Sequence, residues 1–207
     1  MRSVRQFDWH DAKAASNLTK HKLSFENARG VFLDLERIDI DASREQDGEV
    51  RRKTIGMLDG KLIAVVYTVR DDVHWLYRRA EPTGQRRAAM AKGRFPLDAV
   101  HPPKLTPDER SVLDALTPDE IEQNALDDPD NPPSSDEELA RGVVGRRIRL
   151  LRQSLGLSQS AFAERYRINI GRLRDIEQGR TMPDSAFLAY ITVISLERDA
   201  VDRALAS

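Results

Sequence analysis

Residues 157–180 read LSQSAFAERYRINIGRLRDIEQGR. The stretch opens on Leu157-Ser158-Gln159, where Ser158 suits an N-cap and Phe162 and Ala163 face inward from the short helix that follows. A polar turn over Arg165–Asn169 leads into a second helix, Ile170–Gln178, with Leu173 and Ile176 as its core positions and Gly179 as its stop. Upstream, Val144, Ile148, Leu151 and Leu155 recur at helical spacing. Val144–Leu155 is therefore an amphipathic helix with Arg146, Arg147, Arg149 and Arg152 on its other face, ended at Gly156. Downstream, Pro183 opens a helix running to Ile194, and Glu197–Ala206 forms a fifth. Residues 141–207 thus read as an all-α domain of short helices.

With Leu-Ser-Gln opening the second helix, and Glu177-Gln178-Gly179-Arg180 followed by Pro183 closing the third, residues 143–195 resemble the Xre/Cro family of lambda-repressor-like helix-turn-helix modules. The resemblance implies that Ile170–Gln178 lies in the major groove of operator DNA. It also implies that Gln159, beside Ser160 at the start of the second helix, grips a phosphate. The outward positions of the recognition helix are then Ile170, Gly171, Arg172, Arg174 and Asp175. Arg172 and Arg174 can reach guanine or phosphate. Ile170 stands where the family often has a polar residue such as Gln, and offers an apolar contact to a thymine methyl instead.

Charge divides the remainder. Residues 1–95 hold 19 Lys+Arg against 14 Asp+Glu, net +5; residues 96–140 hold 2 against 13, net -11; residues 141–207 hold 12 against 7, net +5. Two basic segments flank an acidic one, which points to anion-binding modules around an acidic connector. The connector carries most of the prolines. It has two helix starts, Thr106-Pro107-Asp108-Glu109 and Thr117-Pro118-Asp119-Glu120, and its run Asp127–Ser135 reads as linker. The 207-residue chain has no cysteine, which excludes disulfides, thiolate metal sites and cysteine nucleophiles. It has no apolar run of membrane-spanning length and no signal-peptide core, so the expectation is a cytoplasmic protein with no membrane partner.

Residues 1–95 read as an α+β domain. Lys13–His21 and Ser24–Phe32 are helical stretches. Arg37–Ile40 is a weak strand, Lys53–Leu58 and Lys61–Val69 form a hairpin through Asp59-Gly60, and Val73–Arg79 is a further strand, with a short helix at Gln85–Lys92. The run Leu62–Val66 predicts a central strand covered on both faces.

Several phrases here resemble the BrnT family of toxins from type II toxin–antitoxin systems: Phe7-Asp8-Trp9-His10-Asp11-Ala12-Lys13, Asn17-Leu18-Thr19-Lys20-His21, Ser24-Phe25-Glu26-Asn27-Ala28, Glu49-Val50-Arg51-Arg52 and Val65-Val66-Tyr67-Thr68 with Arg70. The resemblance covers residues 7–87 and implies a RelE-like fold and RNA cleavage without a metal or other cofactor. Such cleavage needs a base for the 2′-hydroxyl, an acid for the leaving oxygen and cations for the phosphorane. The candidates are Lys20, His21, Arg51, Arg52, Arg70, Arg78 and Arg79, of which strand alternation lets only one of Arg78 and Arg79 face substrate. His21 and His74 are the histidines suited to acid–base work. Pro82 and Gly84 interrupt the family's last helix, which leaves the activity itself open.

With Asp128-Pro129-Asp130-Asn131-Pro132-Pro133 followed by Asp136-Glu137-Glu138-Leu139-Ala140, residues 106–207 also resemble the Xre-type antitoxins that accompany such toxins, and the resemblance implies that these residues belong to a toxin-facing arm. The expected architecture is a RelE-like α+β domain (1–95), an acidic, partly helical linker or toxin-binding arm (96–140) and a helix-turn-helix domain (141–207). Two functions fit: a toxin–antitoxin fusion whose arm restrains the toxin while the DNA-binding domain represses its own promoter, or a transcriptional regulator whose toxin-like module is an inactive dimerisation scaffold. Both predict a homodimer or higher oligomer, for two half-sites. The arm is expected to cover the face carrying Arg51, Arg70 and Arg78 or Arg79, with Val112, Leu113, Leu116, Ile121 and Leu126 as apolar anchors.

Overall fold

The computed structural model describes residues 5–44, 48–76 and 95–206. The helix read at Gln85–Lys92, and the candidates Arg78 and Arg79, lie outside these residues. In chain order the first part runs β1 (Gln6–Asp8), α1 (Asp11–His21), α2 (Phe25–Ala28), a 3-10 turn (Arg29–Leu33), β2 (Ile38–Asp41), β3 (Arg52–Leu58), β4 (Lys61–Arg70), β5 (Val73–Leu76) and β6 (Phe95–Pro96). The rest is helical: α3 (Pro107–Ala115), α4 (Pro118–Leu126), α5 (Asp136–Ser154), α6 (Gln159–Arg165), α7 (Ile170–Glu177), α8 (Ser185–Leu196) and α9 (Arg198–Leu205). The chain divides into two units. One comprises Met1–Arg37 and Ala42–Ser134, the other Ile38–Asp41 and Ser135–Ser207.

In the first unit the strands lie in the order β3-β4-β5-β1-β6. The β1–β5 pair is parallel, and β3–β4, β4–β5 and β1–β6 are antiparallel. Asp59 (φ 49°) and Gly60 (φ 82°) give the two positive φ values that a tight hairpin turn requires, and they set the register Leu58↔Lys61. On one face Phe7, Phe32 and Tyr67 stack edge-on at 4.9 and 5.0 Å, and His74 joins the cluster 5.3 Å from Tyr67. His74 is thereby placed within the aromatic core packing. Phe25, Ala28 and Val31 close the core from the helical side.

The acidic segment contributes Leu97 and Leu105 to the same core. The expectation that β4 is covered on both faces holds for its second half and is corrected for its first. Val66 and Thr68 are buried, whereas Leu62, on the same face, is 70% exposed and Ala64 is exposed, turned by alternation away from Ile63, Val65 and Tyr67.

Both Thr-Pro-Asp-Glu starts are complete capping boxes, Thr106 with Glu109 and Thr117 with Glu120. Glu109 does more: its carboxylate also accepts from Ser24 N at 2.9 Å and Asn27 Nδ2 at 2.6 Å, which docks α3 against the start of α2. Of the expected apolar anchors, Leu113 packs on the core and Leu116 is half-buried. Val112, Ile121 and Leu126 are exposed and do not anchor anything, and α4 has no buried residue; the apolar hold of the segment comes from Leu97, Leu105 and Leu113.

In the second unit α5 starts at Asp136, ahead of the Val144 read from periodicity. Ser135 and Glu138 form a capping box there, which stabilises an early first turn. Ile148, Phe162, Tyr166, Leu173, Ile176, Phe187, Ile191 and Ile194 make the core. A Cβ at Gly145 would overlap the Ile176 carbonyl oxygen and lie 3.2 Å from that of Glu177, so α5 can cross α7 this closely only on a glycine. β2 belongs to this unit. Ile38 and Ile40 fill the space beside Gly142, Asp39 pairs with the buried Arg149, and Asp41 accepts from Arg180 at 3.1 Å.

Candidate nucleic-acid interfaces

In the first unit, cations from separate elements converge on residues 128–134. His21, in the last turn of α1, sits 3.1 Å from Asp128, and Lys13 pairs with Asp130. Arg51 donates to the Asp130 carbonyl at 2.9 Å and Arg44 to that of Pro129 at 2.6 Å. Lys53 donates to the Pro132 carbonyl and to Ser134 Oγ at 3.1 Å. Residues 128–131 turn, with Asn131 N donating to the Asp128 carbonyl at 3.2 Å, and Pro132 and Pro133 lack an N–H, so the carbonyls of Pro129, Asp130 and Pro132 are left to side-chain donors. The run Asp127–Ser135, linker by composition and part of the expected toxin-binding arm, is for that reason a suitable partner for a basic strip.

Arg51 is 1% exposed beneath this segment. Asp128 is also buried. Burial opposes its ionisation, but hydrogen bonds from His21 and the Asp130 N–H, with the fields of His21 and Lys13, hold its carboxyl below the ordinary aspartate value.

The other sequence candidates scatter. Lys20 is exposed, and one residue along a helix turns it away from His21. Arg52 alternates to the face of its partner Tyr67, opposite Lys53. Arg70 is bound by Glu49, with Nε at 3.1 Å, and lies 5.8 Å over Trp75, so the arm does not meet it as expected; the nearer carboxylate has it. Lys13, Arg44 and Lys53 were not among the sequence candidates. Lys53 had a signal, since it shares a strand face with Arg51; Lys13 and Arg44 had none short of the tertiary contacts.

In the second unit Ser158 caps α6 through Ala161 N at 3.1 Å and Asn169 caps α7 through Arg172 N at 3.0 Å. Glu177, at the end of α7 and 4% exposed, accepts from Arg152 at 2.7 and 2.9 Å and from Gln159 Nε2 at 2.7 Å. Gln159 therefore ties the start of α6 to α7, while Ser160 beside it is exposed. Gly171 and Arg174 are exposed. Arg172 is held by Asp184 at 2.7 Å and over the Phe187 ring at 4.7 Å, and Asp175 accepts from Arg180 at 3.0 Å. Ile170, expected to point outward, is half-buried and packs against the core; a residue at the first helical position can turn back over the preceding turn.

Residues 9–80 match the family model described as the ribonuclease toxin BrnT of a type II toxin–antitoxin system, and residues 143–205 match that of a helix-turn-helix domain. The chain joins a BrnT toxin domain to a helix-turn-helix domain. The BrnT match covers α1 through β5 and includes Lys13, His21, Arg51 and Lys53, whereas residues 128–134 lie beyond it. The helix-turn-helix match runs from within α5 to the end of α9. Among the described residues no helix is long and apolar enough to cross a membrane, and no group of three or more His, Asp or Glu side chains could hold a metal ion.

Proposed function

We propose that this protein is a self-restrained toxin–antitoxin fusion: a metal-independent RNA-cleaving BrnT module, held inactive by residues 128–134, and a helix-turn-helix domain that represses its own promoter. The observation that carries the reading is the occupation of the basic strip. Two carboxylates and three backbone carbonyls meet Lys13, His21, Arg44, Arg51 and Lys53. Those oxygens stand where phosphate oxygens of an RNA strand would bind. With the segment displaced, the cations would stabilise the charge of a phosphorane and His21 would move a proton to or from an RNA oxygen. Hydrogen bonds to charged groups contribute roughly 1.5–3 kcal/mol each, so a short segment suffices as a restraint. On the DNA side, Ser160, Gly171, Arg172 and Arg174 are exposed contact positions, and a dimer would place two α7 helices on successive half-sites.

The test is the full chain carrying D128A and D130A, offered RNA in EDTA. Cleavage that the parent protein lacks supports the reading; a folded variant inert on all RNA offered refutes it.

One observation favours the second reading, a DNA-binding regulator with an inactive toxin-like scaffold. Leu97 and Leu105 belong to the same core as the BrnT elements, so the acidic segment is built into the fold as well as laid on its surface. That reading predicts promoter repression with no RNA cleavage in any variant.

A further inference from the structure

Helix α8 is apolar on two faces. Phe187, Ile191 and Ile194 are buried in the core of the second unit. From Ser185 to Leu196 the helix carries no charged side chain. Its outer face presents Ala186, Ala189, Val193 and Leu196, all exposed, with Val193 at 47% and Leu196 at 75%. The spacing is 3, 4 and 3 residues, that of the seam of a left-handed helix pair. A surface helix with one buried face normally turns a polar face to water, so a second apolar stripe calls for a second partner.

We propose that this stripe is the interface with a second copy of the chain, crossed antiparallel about a two-fold axis near Ile191. A parallel pair would set Leu196 against Leu196 and Asp184 against Asp184, with neither size nor charge complementary; the antiparallel one matches both. Ala186 of one copy faces Leu196 of the other, and Ala189 faces Val193, so each large side chain meets a small one and the helices approach closely. At the ends, the exposed Asp184, which caps the start of α8, comes beside the exposed Arg198, just past the end of the partner helix. Opposed helix dipoles add to the match. A stripe without cations suits neither DNA nor RNA.

The seam is short: 12 residues span about 18 Å. Interfaces of this small size are weak, so the dimer forms on the order of micromolar concentration. The inference supplies the two-fold assembly that the operator-binding reading needs. It is tested without DNA, so its failure and that of operator binding are separate results.

Sedimentation equilibrium of the full chain should show a monomer–dimer equilibrium. V193E/L196E should weaken it at least ~10-fold with unchanged circular dichroism, since both side chains are exposed. A chain that stays monomeric up to ~100 µM, or a variant that dimerises like the parent, overturns the proposal. The chain has no cysteine, which permits a second measurement. Oxidation of A189C/V193C should give a covalent dimer in high yield and V193C alone little; equal yields from both overturn the antiparallel pairing.

Discussion

Replacing Glu177 by leucine removes the acceptor of three hydrogen bonds, two from Arg152 and one from Gln159, at 2.7 to 2.9 Å. The Arg152 side chain is almost as buried as Glu177 and keeps only its bond to the Leu157 carbonyl at 2.9 Å. Removing one partner of a buried pair leaves an uncompensated charge and costs about 3–5 kcal/mol. A helical unit of this size has a total stability of roughly 4–11 kcal/mol, so the loss is about a quarter of it or more. At ~4–8 °C per kcal/mol, the helical unit should melt at least ~12 °C lower by circular dichroism at 222 nm. The double variant R152M/E177L removes both charges and should recover most of that loss, because paired apolar residues often match a buried ion pair. Operator affinity should fall in E177L and return in the double variant as α6 and α7 regain their spacing. A single variant that melts within ~3 °C of the parent, or a double variant worse than the single, would refute the reasoning.

In gel shifts on the native promoter, Arg174→Ala should weaken binding by ~1–3 kcal/mol. Asp184→Asn loosens the hold on Arg172 and should change affinity in a way that the added Arg172→Ala abolishes. Gly145→Ala should destabilise the helical unit by at least ~1–3 kcal/mol, read by urea unfolding, since backbone oxygens cannot step aside. Acid should loosen the BrnT domain. Glu109 is buried, which opposes its charge, but bonds from the Ser24 and Thr106 N–H groups and from Asn27 hold it below the ordinary value, as Asp128 is held. Their contribution is present above the ordinary carboxylate range and lost as pH falls through the lowered values, below about pH 4. Trp9 and Trp75, the only tryptophans, both lie in this unit and report the change by fluorescence; Asp128→Asn should make the curve shallower.

The helix-turn-helix unit was legible because its determinants are local. Ser158 and Asn169 cap, Leu173 and Ile176 repeat at helical spacing, and each contact follows within a few turns. The start of α5 was missed although Ser135 and Glu138 spell its capping box, since the apolar period begins only at Val144. β1 and β6 are two or three residues long and paired across the sheet, too short for any period to register. For the basic strip, charge totals foretold an acidic segment on basic chain but not the register. His21 and Arg51 were named, Arg70 was misassigned because Glu49 is a neighbour only in space, and the accepting carbonyls of residues 129–132 have no side-chain signature at all.

The membership of Ile38–Asp41 in the second unit bears on how this protein is made. These four residues leave the ribosome before β3, yet the helices they pack against begin only at Asp136. At ~5–20 residues per second, the intervening residues 42–134 take roughly 5–20 s to synthesise. During that interval Ile38 and Ile40 have no α5 to cover them, and Asp39 has no Arg149. Neither unit is a continuous stretch of message. A gene cut anywhere between codons 42 and 134 would yield two products, the second lacking a strand that its own domain requires. Translation as one chain delivers that strand at a fixed one-to-one ratio with the helices that receive it.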